Sequence, residues 1–124
     1  MNLIEQAQQA YAPANMPIQS ARSIEATVLS KITAKLNKAA QSRQKNYPQF
    51  IAALHENRQI WTALAVDVAD DDNALPRSLR AQIFYLAEFT EIHSKKIIQS
   101  GADVEALISI NTSILRGLNA MEAV

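Results

Sequence analysis

Residues 50–68 read Phe-Ile-Ala-Ala-Leu-His-Glu-Asn-Arg-Gln-Ile-Trp-Thr-Ala-Leu-Ala-Val-Asp-Val. Within this stretch Phe50, Leu54, Asn57, Trp61, Leu64 and Val68 recur at alternating steps of four and three. That step is the period of an α-helix laid against other helices, and it is incompatible with a strand, whose side chains alternate every second residue. The spacing therefore predicts a helix from about Pro48 to Ala69 with one apolar seam, a bundle helix. Pro48 is tolerated in the first turn, where its missing N–H would have no partner.

On the N-terminal side, Asn46-Tyr47-Pro48 separates this helix from a second, expected from about Ile18 or Ser20 to Gln41. Ile24, Val28, Ile32 and Leu36 line its stripe, widened by Leu29 and Ala39. Ahead of it, residues 2–11 form a short helical segment. It ends before Ala12-Pro13-Ala14-Asn15-Met16-Pro17, because two prolines so close together cannot continue a helix. A segment of that length is marginal in water unless it docks.

On the C-terminal side, Asp70-Asp71-Asp72 stops the chain and the residue before Pro76 is pushed out of helical geometry. A further helix is predicted from Pro76 to about Ser100, with Gly101 as a left-handed cap. Another runs from Asp103 as N-cap to Leu118 and repeats the three–four step with Val104, Leu107, Asn111, Ile114 and Leu118. The expected fold is all-α, one domain over residues 1–124. It comprises a short N-terminal helix and Pro-rich tether over 1–17 and a bundle core over 18–118, four to five helices in all. Short connections make neighbouring helices antiparallel.

Composition narrows the class. A chain of 124 residues buries roughly two-thirds of its unfolded surface, enough for one core. Two glycines and four prolines argue against a turn-rich sheet protein. The absence of cysteine excludes disulfides, thiolate catalysis and cysteine-ligated metals. No basic-then-apolar leader and no membrane-length apolar run stand out, so the expected location is the cytoplasm. The net charge is zero but uneven: Lys31, Lys35, Lys38, Arg43 and Lys45 are the only charges between Ala26 and His55, and Asp67, Asp70, Asp71 and Asp72 form an acidic turn. Such runs read as a solvated face and a capping turn, with Asp72 and Asn73 near the positive end of the following helix.

Asn57 and Asn111 occupy seam positions where apolar side chains are expected. An unpaired buried amide costs about 1–3 kcal/mol, so each should find a partner. They are read as bonding across the bundle and fixing helix register, with contact to a partner's backbone as the alternative. In the 76–100 helix, Leu79, Ile83, Leu86 and Ile97 form the main stripe, while Phe84, Ile92 and Ile98 fall outside it and Tyr85 and Phe89 lie near its edges. A helix apolar on several faces is either central in its domain or covered by a second chain. Phe84, Ile92 and Ile98, together with Leu3 and Ile4 of the first segment, are the candidate partner-binding residues, forming or covering a groove for an amphipathic helix. Trp61 should be core, with its indole N–H on an acceptor. His55 and His93 lack companions at zinc-ligand spacing, and the aspartate cluster lacks the glycine and terminal glutamate of an EF-hand. No nucleophile elbow, phosphate loop or paired carboxylates are present, so neither an enzyme nor a cofactor is expected.

A resemblance adds to this reading. Ala53, Leu54, His55, Asn57, Arg58, Trp61 to Ala65, Asp67 and Val68, then Asn73, Leu75, Pro76 and Leu79 to Ile83, reproduce the central pattern of the FlaF family of flagellar biosynthesis regulators. Ile110, Asn111 and Ile114 to Leu118 add a weaker match. The resemblance implies a small cytoplasmic factor needed for flagellin production and flagellum assembly. It implies flagellin as the partner, held as by an export chaperone, and action in opposition to a second regulator, FlbT. The competing expectation is a translational regulator acting on flagellin mRNA, directly or through FlbT. Zero net charge, few aromatics and the lack of an RNA-binding module weigh against direct RNA contact.

Overall fold

The structure, a computed structural model, describes the backbone of residues 21–122 and the side chains of residues 26–120. Among the described residues there are four helices and no strand: α1 (Ala21–Gln41), α2 (Tyr47–Ala69), α3 (Arg77–Ser100) and α4 (Glu105–Glu122). The expected fifth helix, over residues 2–11, and the tether after it lie outside the described residues.

The helix ends follow local chemistry. Asn46 caps α2 by accepting the Gln49 N–H at 3.2 Å, and proline sits in the first turn where no donor is lost. Gly101 ends α3 at φ 70°, a left-handed conformation that a side chain disfavours, and its N–H bonds back to Ile97 O at 3.1 Å. The Asp103 carboxylate accepts the Glu105 N–H at 2.9 Å at the start of α4. Two expectations shift. Pro76 stands just outside α3, with extended ψ of 144°, and the helix begins at Arg77. Asn73 serves the end of α2 instead of the start of α3: its amide donates to Asp67 O at 3.0 Å, and its oxygen accepts the Leu75 N–H at 3.0 Å. An amide can donate to the orphan carbonyls of a helix C-terminus, which a carboxylate cannot.

The order of packing is that of an antiparallel up-and-down bundle. α1 lies against α2 and α4, α2 also lies against α3, and α3 touches α4 little. The buried side chains divide into two apolar clusters. The one at the α2–α3 turn end contains Leu29, Ile32, Ile60, Trp61, Leu64, Ile83, Ile114 and Leu118. The one at the other end contains Leu36, Phe50, Leu54, Ile97, Val104 and Leu107. All six seam residues of 50–68 and all five of the 104–118 pattern are buried. In α3 the stripe is thinner: Ile83 and Ile97 are buried, and Leu79 and Leu86 only partly so.

Candidate interaction site

Between the two apolar clusters runs a layer of polar side chains. Asn111 of α4 is its hub. Its oxygen accepts the Trp61 indole N–H at 2.8 Å, and its amide nitrogen donates to Asn57 Oδ1 at 2.7 Å and to Thr33 Oγ1 at 3.0 Å. Thr33 passes its own proton back along α1 to Leu29 O at 2.7 Å. Asn57 and Asn111 are both fully buried. A one-residue slip of α2 or α4 would strand these groups in an apolar interior, so the layer sets the helix register.

α3 meets the same layer differently. It presents Thr90 and Ser94, both fully buried, and among the described residues neither hydroxyl has a hydrogen-bond partner; nor does the Asn57 amide nitrogen. Sequence reasoning overlooked these two residues, although their spacing from Ile83 and Ile97 continues the buried stripe. Hydroxyl residues read as surface, and only the neighbouring helices reveal that they face inward. On its outer flank α3 is tied to α2 by a two-pronged Arg58–Glu91 ion pair, with Arg58 Nε donating to Glu91 at 3.0 Å. The hydrogen bond from Arg58 holds the Glu91 carboxyl below the usual carboxylate range, against the opposing effect of partial burial.

Where α2 ends and α3 begins, an open groove lies on the bundle surface. Val68 and Ala69 form one wall, and Ala81, Phe84 and Tyr85 form the other. Asp71, Arg77, Arg80 and Glu88 complete its lining. Arg80 is held in place by Val68 O at 3.0 Å and Asp70 O at 2.8 Å, closing the last carbonyls of α2. Phe84 is 45% and Tyr85 67% exposed, so large apolar surface is in water here.

Of the candidate partner-binding residues, Phe84 lies in this groove; Ile92 and Ile98 are exposed but do not line it. Helical spacing puts Ile98 on the flank of Phe84 some four turns away, and Ile92 on the outer face. The structure does not bring the three together. Leu3 and Ile4 lie outside the described residues. Tyr85, Val68 and Ala81 were not among the candidate partner-binding residues, since a groove between two helices has no linear signature. His55 is exposed, while His93 stacks on Phe89 and lies 2.7 Å from Asp103 O. Among the described residues no cluster of three or more histidine or carboxylate side chains could hold a metal, and no helix is long and apolar enough to cross a membrane.

Fold and surface together define a small antiparallel helical bundle with a polar middle layer and an exposed apolar groove. The family model described as flagellar protein FlaF matches residues 7–118, and the chain belongs to that family. It is a flagellar protein. No curated protein and no solved structure matches the chain.

Proposed function

We propose that this flagellar protein works by binding and not by catalysis, as a cytoplasmic export chaperone for flagellin. In this reading it holds an amphipathic terminal helix of the unpolymerised subunit and so supports flagellin production and flagellum assembly, in opposition to FlbT. The observation that carries the reading is the groove of Val68, Ala69, Ala81, Phe84 and Tyr85, apolar on both walls and rimmed by charges of both signs. Such a surface suits one face of a helix, with the rim steering its polar flanks.

The test is binding to purified flagellin and to the flagellin mRNA leader, side by side over a salt series. A flagellin complex with shallow salt dependence, weakened at least tenfold by Phe84→Asp or Tyr85→Asp in a still-folded protein, is the expected result. No flagellin complex, with RNA binding that falls steeply as salt rises, would replace the chaperone by a translational regulator.

A further inference from the structure

Among the described residues the ring of helices is closed on three sides and open on the fourth. α3 and α4 barely touch, although only residues 101–104 join them. Packed neighbours in a bundle of this kind lie about 8–10 Å apart along most of their length. Arg80 and Glu91 reach from α3 to α2, so the opposite flank of α3, which carries Leu79 and Leu86, faces the open side. On α4, Leu115 and Asn119 line a cleft with α1, so the flank bearing Ile110 and Gly117 faces the same opening. Leu79, Leu86 and Ile110 are partly buried against the turn-end cluster. At Gly117 an added Cβ would meet nothing within 4 Å among the described residues. The seam is therefore apolar, continuous with the core and wide.

The chain carries an occupant of matching size. Twenty residues precede Ala21, and α1 begins at the turn end, beside the cluster that holds Leu118 and Ile83. Leu3, Ile4, Ala7 and Tyr11 recur at helical spacing, and ten residues of helix measure about 15 Å, against about 10 Å from Leu79 to Leu86. The nine residues 12–20 reach at most about 30 Å, and α4, about one 10 Å helix diameter, is all that separates α1 from the seam. We propose that residues 2–11 seat as a helix in the α3–α4 seam of their own chain, with Leu3 and Ile4 against Leu86 and Ile110. The first segment then completes the ring and leaves the α2–α3 groove free.

The absence of cysteine makes a disulfide test clean. In the full chain, Ile4→Cys is combined with Gln82→Cys, on the seam flank of α3, or with its neighbour Ala81→Cys, which lines the other groove. The intramolecular disulfide should form at least tenfold faster with Gln82→Cys. Equal rates, a faster reaction at Ala81→Cys, or only intermolecular bridges (a second copy in the seam) would overturn the proposal. Hydrogen exchange of the chain lacking residues 1–20 gives a second reading: amides of 79–86 and 110–117 should exchange at least tenfold faster than in the full chain. Unchanged exchange there would also overturn it. If the shortened chain fails to fold, the disulfide rates in the full chain decide.

Discussion

Around Asn111, the part of the bundle built by α1, α2 and α4 gives the Trp61 N–H, the Thr33 hydroxyl, the Asn57 oxygen and both ends of the Asn111 amide a partner. α3 brings Thr90 and Ser94 to the same depth, and among the described residues both are left without one. Three helices are thus locked to one another by a bonded polar layer. The fourth is held by Ile83, Ile97, the Arg58–Glu91 pair and the bonds from Arg80 to the last carbonyls of α2. A buried polar group stabilises a fold only when its hydrogen bonds are made; left unmade, it costs about 1–3 kcal/mol. α3 is accordingly the helix that the bonded polar layer does not tie in, and it carries the exposed Phe84 and Tyr85 that the proposed function uses.

The contrast can be broken most directly at its hub. Asn111→Leu deprives Trp61, Asn57 and Thr33 of partners at once, and should cost about 3–5 kcal/mol in denaturant titration, with reduced cooperativity from loosened helix pairing. A loss below about 1 kcal/mol would show that the layer does not anchor the three helices. Next, Ile83→Pro removes an interior hydrogen bond of α3 and should cost about 3 kcal/mol or more. Ser78→Pro, the second residue of α3, should cost far less, because its N–H lies in the opening turn. Equal destabilisation would mean that α3 does not begin at Arg77.

Two threonine substitutions sharpen the comparison at smaller scale. Thr33→Val removes a bonded acceptor and should destabilise by about 1 kcal/mol, whereas Thr90→Val removes an unbonded hydroxyl and should be neutral or stabilising by up to about 1 kcal/mol. The two stability changes should therefore differ in sign or nearly so, and equal losses would place Thr90 inside the network. The smallest effect concerns Glu91. Its folded-state pKa is lowered, so the stability it contributes is present above the ordinary glutamate range and is lost as pH falls through the lower folded value. The Glu91 side chain is 40% exposed, so screening limits the contribution to about 0.5 kcal/mol. Glu91→Gln should be slightly less stable than the parent at pH 7, and the difference should shrink as the pH is lowered below the ordinary glutamate range, as read from paired denaturation curves.

The seams of 50–68 and 104–118 were legible because a helix packed on one side writes its period into the chain. The same period set Asn57 and Asn111 inside, where they bond to each other. α3 was legible as a helix but not in its facing. It is apolar on several sides, so the pattern could not choose which residues turn inward, and Thr90 and Ser94 passed for surface. Asn73 was assigned to the wrong helix end for a similar reason, since an Asx side chain in a turn can serve the helix before it or the one after.

The sequence by itself determined four described helices, the caps at Gly101 and Asp103, the single-sided seams of α2 and α4, and the flagellar family. These depend on residues close together along the chain or on a pattern carried by it. The tertiary structure alone decided the pairing of Trp61 with Asn111, fifty residues apart. It also decided the tie of Arg58 to Glu91, the apolar groove between α2 and α3, and the open seam between α3 and α4. Each of these is a relation between two helices, and the period of one helix says which face is apolar without saying which neighbour covers it.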